Sequence, residues 1–333
     1  MNAPVRGQGQ PTLTAVICTR DRPQLLARAL RSLLEQRQQP LEILVVDNAP
    51  SSDQTQQTIA REFPSIRYVR EPVPGLDFAR NRAMREAQGD ILAYLDDDAV
   101  ADPDWIAATE QAFAANPRLG ACMGKVDALT LDNPGARLFE ANGGFARGTT
   151  RILLPPGAGP DPAGISRPLI AWCISVGSGV SMALRKDLLL RLGGFDNALD
   201  LGAALPGGGD HDMLWRLLES GAEVVYEPRV QARHEHRPER EAAERQILEH
   251  NRALIATLTK LVVASKWRWK GSILAFLLWR LAKPLKRVLW SLAGRDPLPT
   301  PLLWRLVGFT WRGLVAYPAA RRLAAERTAR YGG

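Results

Sequence analysis

Short apolar segments alternate with amphipathic segments through the first 130 residues of the chain. Apolar runs rich in β-branched residues predict buried strands, and apolar positions three and four residues apart predict helices between them. The predicted helices begin near residues 23, 51, 78 and 103, and the predicted strands are residues 12–18, 41–47, 66–70, 91–96 and 119–126. Because nearly continuous apolar strands that alternate with helices are typical of parallel sheets, the pattern predicts an α/β fold with an open, mostly parallel sheet flanked by helices.

The pattern is less regular beyond residue 130. Residues 155–168 are dense in Pro and Gly, which predicts a long loop of the kind that often covers or binds a ligand. Regular structure is predicted to resume at 176–184, with a helix after the glycines at 207–209 and a strand at 223–228. Past Arg240 the pattern is helical.

Polar side chains follow three of the predicted strands. Residues 18–21 follow the first strand, Asp47 ends the second, and three consecutive aspartates, 96–98, end the fourth. Since ligands of parallel α/β sheets bind beyond the carboxyl ends of the strands, these groups are predicted to converge. Three adjacent carboxylates repel one another, and Mg²⁺ or Mn²⁺ would offset that repulsion. The alternative is a solvated acidic turn that caps the next helix, for which Asp102 and Asp104 are equally suited.

Further along the chain, three positions carry candidate chemistry. Asp210 follows three glycines at a predicted helix start, where it is either a general base or a helix cap. His234 or His236 is a candidate metal ligand, and the alternative is a surface histidine in a charged loop. Arg80 and Asn81 follow a turn and either contact phosphate or sugar or lie on a helix surface. No P-loop or dinucleotide-binding fingerprint occurs in the chain.

The formal charge of +8 is divided unequally along the chain. Residues 250–333 contain 16 Lys and Arg against two acidic residues, a net +14, which leaves −6 for residues 1–249. The basic part also contains six of the nine tryptophans. The acidic part suits a metal-assisted site, and the basic, aromatic part suits an anionic, amphipathic surface.

Two segments of the basic part, residues 266–294 and 301–318, mix Trp, Leu and cations. The longest uncharged run, from Gly271 to Trp279, is far shorter than the roughly 20 residues of a membrane-spanning helix. We therefore expect residues 266–318 to lie in a membrane surface. The alternatives are helices that pack on the rest of the chain or on a partner chain, and a re-entrant hairpin. A nucleic-acid partner is not expected, because the cations are interleaved with aliphatic residues.

The compartment is indicated by two features. Three scattered cysteines without CxxC spacing fit a reducing compartment. The N-terminal sequence MNAPVRGQGQPT has no apolar core of a signal peptide. These features predict a cytoplasmic protein.

Several segments occur in the order found in a known family. They are PGLDFARNRAM, GDILAYLDDDAVADPDWI, GSGVSMALRKDLLLRLGGFD and GGDHDMLWRLLESG. With the strand ends at Thr19 and Asp47, this set resembles the family 2 glycosyltransferases, which have the GT-A fold, over about residues 12–240. No single motif is specific, whereas the ordered set is. The resemblance implies a GT-A catalytic domain, which we place at residues 12–245. Composition and charge place a flexible N-terminus before it (1–11) and a basic, Trp-rich, helical amphipathic extension after it (246–333).

The resemblance also implies roles for individual residues. A divalent metal, Mn²⁺ or Mg²⁺, would be held by Asp98 with Asp96 and His234, and Asp210 would be the catalytic base. Gly209 stands where relatives have a glutamate, which makes the assignment of the base less secure. The residues implied to bind the nucleotide sugar are Thr19, Arg20, Asp47, Arg80, Asn81, Asp96 and Asp97.

The implied reaction transfers a sugar, with inversion, from a nucleotide-diphosphate sugar to a hydroxyl of a carbohydrate or lipid-linked acceptor. One sugar per acceptor is expected, because the QxxRW motif of processive relatives is absent. The expected role is cell-surface polysaccharide or glycolipid synthesis, at the inner face of the cell membrane. Two alternatives are a non-catalytic nucleotide-sugar-binding relative and a nucleotidyltransferase. The oligomeric state stays open.

Overall fold

The computed structural model describes residues 11–155 and 167–332. The predicted flexible N-terminus lies outside these residues except for its last position, and most of the predicted loop at 155–168 lies outside them as well.

The described part of the chain contains nine strands in one mixed sheet, in the order β3-β2-β1-β4-β8-β6-β9-β5, with β7 paired to the first half of β9. Strands β1 to β4 are parallel, and β8 lies antiparallel between β4 and β6. The strands are β1 (Leu13–Thr19), β2 (Glu42–Asn48), β3 (Arg67–Glu71), β4 (Ile91–Leu95), β5 (Ala99–Ala101), β6 (Leu119–Ala128), β7 (Ile152–Leu154), β8 (Ser181–Arg185) and β9 (Glu223–His234).

Twelve α-helices lie in the same described residues. Pro23 opens the first of them, where its missing N–H costs nothing, and Gly221 ends the eighth in the left-handed conformation, at φ 95°. The helices are α1 (Pro23–Leu34), α2 (Gln54–Glu62), α3 (Leu76–Glu86), α4 (Trp105–Ala115), α5 (Pro134–Ala141), α6 (Leu169–Val176), α7 (Lys186–Arg191), α8 (Gly209–Ser220), α9 (Arg240–Ala264), α10 (Trp267–Leu292), α11 (Thr300–Gly313) and α12 (Ala316–Tyr331).

The sheet has a buried layer on each face, because successive side chains of a strand point to opposite sides. In β2, Val45 packs in the layer that contains α1, α2 and α4, and Val46 packs in the layer that contains α3, α6 and α8. Both layers are apolar, which explains why the strands read as continuous apolar runs. The predicted α/β class, with a mostly parallel sheet flanked by helices, is confirmed.

The C-terminal helices pack on the sheet layer as well as on one another. Ile273, Leu277 and Leu281 of α10 are buried in the same cluster as Trp215 of α8. The sequence alternative in which these helices pack on the rest of the chain therefore holds for one face of α10. The predicted boundary between residues 245 and 246 lies inside α9, and the division into domains stays a prediction.

Helices α10 and α11 also carry large apolar side chains on their outer surface. No helix of residues 11–155 and 167–332 has a stretch that is both long and apolar enough to cross a membrane. The exposed side chains of α10 and α11 include Trp267, Leu278, Trp279, Leu289, Trp290, Leu292, Trp304 and Trp311.

Candidate active site

The short strand β5 brings a histidine to the aspartate triplet. Ala99 of β5 pairs with His234 at the end of β9, and His234 Nε2 consequently lies 3.1 Å from Asp98 Oδ1. Asp96 follows β4 directly, and its backbone N–H donates to the carbonyl of Val180. One ligand atom from each of Asp96, Asp98 and His234 lies within 4.8 Å of the others. The structure therefore brings together the three residues that the sequence predicts to hold a metal.

The electrostatics of this cluster fit a divalent cation. Burial, with the charge of Asp98 next, raises the pKa of Asp96 to about 7. Burial also raises the pKa of Asp98, but the hydrogen bond and charge of His234 outweigh it and leave that pKa below its usual value. Two carboxylates and an imidazole are donors that Mn²⁺ accepts, and the carboxylates alone would suit Mg²⁺.

Asp97 points away from this cluster and fixes the turn. Its carboxylate accepts hydrogen bonds from Thr19 Oγ1 at 2.7 Å and from the Arg22 guanidinium at 3.1 Å. The same guanidinium lies 3.4 Å from Asp98 Oδ2. Thr19 and Arg22 come from the end of β1 and the loop after it, and they tie the first strand to the acidic turn. Arg22 was not predicted from the sequence, and no local pattern around it signals this contact.

A second histidine, His236, contacts the ring of the candidate metal ligand His234. The Nδ1 atoms of His234 and His236 lie 3.2 Å apart, and His236 Nε2 lies 2.7 Å from Glu140 Oε1. Phe139 and Phe145 pack against the His236 ring, which is buried. The alternative of surface histidines is therefore wrong for both positions. Glu140, from α5, was missed because nothing in the sequence links it to β9.

Arg80 is the centre of a buried charge cluster. Its guanidinium lies 2.9 Å from Asp77 Oδ1 and 3.5 Å from Asp200 Oδ2, and it stacks over the Phe195 ring. Asp200, at a left-handed φ of 50°, also accepts a hydrogen bond from the backbone N–H of Gly209. Burial lowers the pKa of Arg80, but the surrounding carboxylates raise it by a larger amount. The pKa therefore lies above its usual value, and Arg80 stays charged. Asp77 lies three residues before Arg80 on α3, a spacing that could have predicted the pair.

Asp210 lies in the first turn of α8, beside Arg80. A Cβ added at Gly179 would lie 2.7 Å from an Arg80 nitrogen and 3.5 Å from Asp210 Oδ2, so both groups face the same point. Asp210 Oδ1 also lies 3.2 Å from His211 Nδ1. Burial raises the pKa of Asp210, but the charge and hydrogen bond of His211 outweigh it and hold the pKa well below its usual value. Asp210 is therefore ionised and able to accept a proton.

One cavity of about 1320 Å³ connects the charge cluster with the metal candidates. The cavity is lined by the three candidate metal ligands, by the central arginine and by the candidate base: Asp96, Asp98, His234, Arg80 and Asp210. The cavity thus unites five of the predicted site residues.

The other predicted site residues, among those that the structure describes, do not line this cavity. Asp47 is buried, and its Oδ2 accepts a hydrogen bond from Tyr68. The Asn81 amide is held by Phe195 and Asn197, a contact that fixes the loop after α7. Arg20 is exposed and lies near Asp21. Thr19 and Asp97 are hydrogen-bonded to each other. Nucleotide binding by these five residues stays a prediction.

The fold and the site define an α/β protein with a cluster of candidate metal ligands and an ionised aspartate in one cavity. Residues 14–156 match the family model described as Glycosyl transferase family 2. A Glucosyl-dolichyl phosphate glucuronosyltransferase of Haloferax volcanii is 28% identical over 118 residues, 34% of this chain and 38% of that protein. The Succinoglycan biosynthesis protein ExoM of Rhizobium meliloti is 36% identical over 96 residues, 27% of this chain and 31% of that protein.

The structural comparison agrees with the sequence comparison. A mannosyltransferase of Pyrobaculum calidifontis, solved in complex with GDP-Man and Mn²⁺, superposes with a TM-score of 0.57 at 20% identity, covering 95% of this chain and 87% of that one. The chain has the GT-A fold, its residues 14–156 match the family 2 glycosyltransferases, and the resemblance predicted from the ordered motifs is confirmed. The sequence matches span less than half the length of the two curated relatives.

Proposed function

We propose that the protein transfers a single sugar, with inversion, from a nucleotide-diphosphate sugar to an acceptor hydroxyl. The observation that supports this most directly is the shared cavity, in which the ionised Asp210 lies together with Asp96, Asp98 and His234. A metal-bound leaving group and a base are the two requirements of a one-step displacement. The cavity supplies residues suited to both.

The reaction follows from the positions of these residues. Asp210 takes the proton of the acceptor hydroxyl, and the oxygen forms a bond to the anomeric carbon. The bond from that carbon to the diphosphate breaks, and its electron pair leaves with the nucleoside diphosphate. The positive charge of Arg80 offsets the negative charges of Asp77, Asp200 and Asp210. When bound at Asp96, Asp98 and His234, Mn²⁺ or Mg²⁺ would neutralise charge on the diphosphate.

A membrane-surface location suits a lipid-linked acceptor. Trp279, Leu289 and Trp304 are each more than half exposed, and cations lie among them along α10 and α11. Exposed aromatic and aliphatic side chains with interleaved Lys and Arg are typical of helices that bind an anionic lipid surface. We infer that residues 266–318 bind the inner face of the cell membrane. The relatives named for dolichyl phosphate and succinoglycan support a role in glycolipid or polysaccharide synthesis.

A thermal-shift screen of nucleotide sugars, each with and without Mn²⁺, tests the proposal. Stabilisation by one donor that depends on the metal is the expected result, since only the folded protein has the site. The matched control is Asp98→Asn, which should lose the metal-dependent part of the shift. A wild-type protein that no nucleotide sugar stabilises would contradict the proposal.

Release of products separates the remaining alternatives. A glycosyltransferase releases nucleoside diphosphate when acceptor is added, whereas a nucleotidyltransferase releases pyrophosphate. A non-catalytic relative binds the donor and releases neither. Because Gly209 lacks the carboxylate of its relatives, this measurement is the decisive test of catalysis.

A further inference from the structure

The cavity is lined by side chains of both charges. Its carboxylates are those of Asp96, Asp98, Asp200 and Asp210. The part of the wall formed by α10 contains cations: Arg280, Lys283 and Arg287. These two sets of groups suit different ligand groups.

Two of these cations on α10 have no acidic partner. Arg287 is neutralised by Asp296, with two hydrogen bonds of 2.8 and 2.9 Å. Among the residues of the described ranges, by contrast, no carboxylate lies within 4 Å of the charged nitrogens of Arg280 or Lys283. Arg280 donates to the Asn251 side chain at 2.9 Å, and its Nε is buried without a hydrogen-bond partner. Arg280 and Lys283 therefore have unused capacity to bind an anion.

The positive charges are kept together at a cost. Arg280 and Lys283 are three residues apart on one helix, a spacing at which side chains are neighbours and like charges repel. Burial, followed by the charges of Arg280 and Arg287, lowers the pKa of Lys283 to about 8. A bound phosphate would offset this repulsion and use the unpaired donors, because charge-assisted hydrogen bonds to phosphate are among the strongest that proteins form.

The cationic pair lies at the border between the cavity and the exposed apolar side of α10. Lys283 and Arg280 lie over the Trp279 ring, at 5.2 and 6.0 Å from its centre, and Phe276 stacks on the same ring. Trp279 lines the cavity and is also 52% exposed, and Leu278 beside it is 57% exposed. A ligand bound here would meet cations on the cavity side and an apolar surface on the outer side.

We propose that Arg280 and Lys283 bind the phosphate of an amphiphilic acceptor, whose apolar chain lies along α10 and whose sugar hydroxyl extends into the cavity toward Asp210. This rests on the proposed function, and it identifies the acceptor class. The donor diphosphate belongs at Asp96, Asp98 and His234, so that the two phosphate-bearing ligands bind to separate groups in one cavity.

Binding of octyl phosphate to the full-length protein, followed by isothermal titration calorimetry below the micelle concentration, tests the proposal. Octyl glucoside is the uncharged control ligand. The Arg280→Gln/Lys283→Gln variant should bind octyl phosphate at least about tenfold more weakly, with unchanged affinity for octyl glucoside. Lys286→Gln is the matched control, because Lys286 lies three residues further on α10, exposed, over the Trp290 ring. It should bind octyl phosphate like the wild type.

Four results would overturn the proposal. Lys286→Gln could weaken binding as much as Arg280→Gln/Lys283→Gln, which would indicate general electrostatic attraction. The wild type could bind octyl glucoside as tightly as octyl phosphate, or inorganic phosphate as tightly as octyl phosphate, which would exclude an amphiphile site. Metal-dependent stabilisation by a nucleotide sugar is measured on the same proteins. If it persists while octyl phosphate does not bind, this inference fails and the proposed function stands; if it is absent, the proposed function fails.

Discussion

A side chain at position 209 would overlap the carboxylate of Asp77. The Cβ of any residue other than glycine would meet Asp77 Oδ2, while the other oxygen of that carboxylate holds Arg80 at 2.9 Å. Gly209 is the position at which the family resemblance implies a glutamate. The structure thus places a carboxylate from α3 against Gly209, the first residue of α8.

Gly209→Ala should therefore destabilise the protein, although alanine is the better helix former. Alanine gains about 1 kcal/mol over glycine in a helix interior, whereas forced overpacking costs about 1–3 kcal/mol. We expect the net free energy of unfolding to fall, as measured by urea denaturation. In an Asp77→Ala background the overlap disappears, and the same glycine substitution should become neutral or stabilising. An equal loss of stability in both backgrounds would contradict the overlap.

Asp210→Asn should abolish transfer while leaving donor binding nearly intact. An amide cannot accept the proton of the acceptor hydroxyl, and loss of a general base typically costs about 10²- to 10⁴-fold in rate. Release of nucleoside diphosphate measures the rate, and the thermal shift with nucleotide sugar and Mn²⁺ measures binding. Turnover like that of the wild type would show that another group is the base.

His236→Phe should weaken metal binding without removing a ligand. The phenyl ring keeps the packing against Phe139 and Phe145, but the contacts with His234 and Glu140 are lost. Loss of a group that orients a metal-ligating histidine typically costs about 10–100-fold in affinity. Mn²⁺ titration followed by electron paramagnetic resonance checks this. Glu140→Gln should show the same direction with a smaller effect, and unchanged Mn²⁺ affinity in both variants would refute the supporting role.

Octyl phosphate binding should weaken as the pH rises through about 8. Burial, Arg280 and Arg287 lower the pKa of Lys283 to about 8, and Asp296 opposes them weakly. Lys283 is therefore charged below that pH and neutral above it, so affinity is highest on the acidic side of the transition. Lys283→Arg stays charged and should bind without this pH dependence. A wild-type affinity that is constant between pH 7 and pH 9 would contradict the assignment.

Leu289→Glu should reduce binding to vesicles that contain phosphatidylglycerol. Leu289 is 67% exposed on α10, and a carboxylate there would have to leave water and would repel the anionic surface. Sedimentation with vesicles measures the bound fraction, which should also fall when the salt concentration is raised. Leu190→Glu, at a 51% exposed site on α7, is the matched control and should bind as the wild type does. Equal loss in the two variants would point to a general charge effect.

The sequence predicted the long buried strands, most helices and the candidate metal residues, because these depend on local patterns. The short strands β5 and β7 and the second half of β9 were not predicted. Asp98 follows a strand, and His234 ends one, so the pairing of β5 with β9 was enough to join them. Asp200 was not predictable, since only its contact with Arg80 and the backbone of Gly209 gives it a role. The hydrogen bond that Asp97 accepts from Thr19 was not predictable either, because the two residues are far apart in the sequence.

The packing of α10 was also beyond sequence reasoning. Its pattern of Trp, Leu and cations indicates an amphipathic helix but does not say what its apolar stripe contacts. The structure divides the stripe between two environments, with Ile273 and Leu277 in the protein core and Leu278 and Leu289 in contact with solvent. The two alternatives from the sequence, binding to a membrane surface and packing on the protein, therefore concern different faces of the same helix.

The shared core of α8 and α10 bears on how the protein can be handled in the laboratory. Trp215 donates a hydrogen bond to Ser265 Oγ and meets the Trp269 ring edge to face, just where a shortened chain would end. Removing α10 to α12 to improve yield would expose Trp215 to solvent and promote aggregation. Crystallisation and assays should therefore use the whole chain. Its solubility can be improved by replacing the exposed Leu and Trp residues of α10 and α11 one at a time with polar residues.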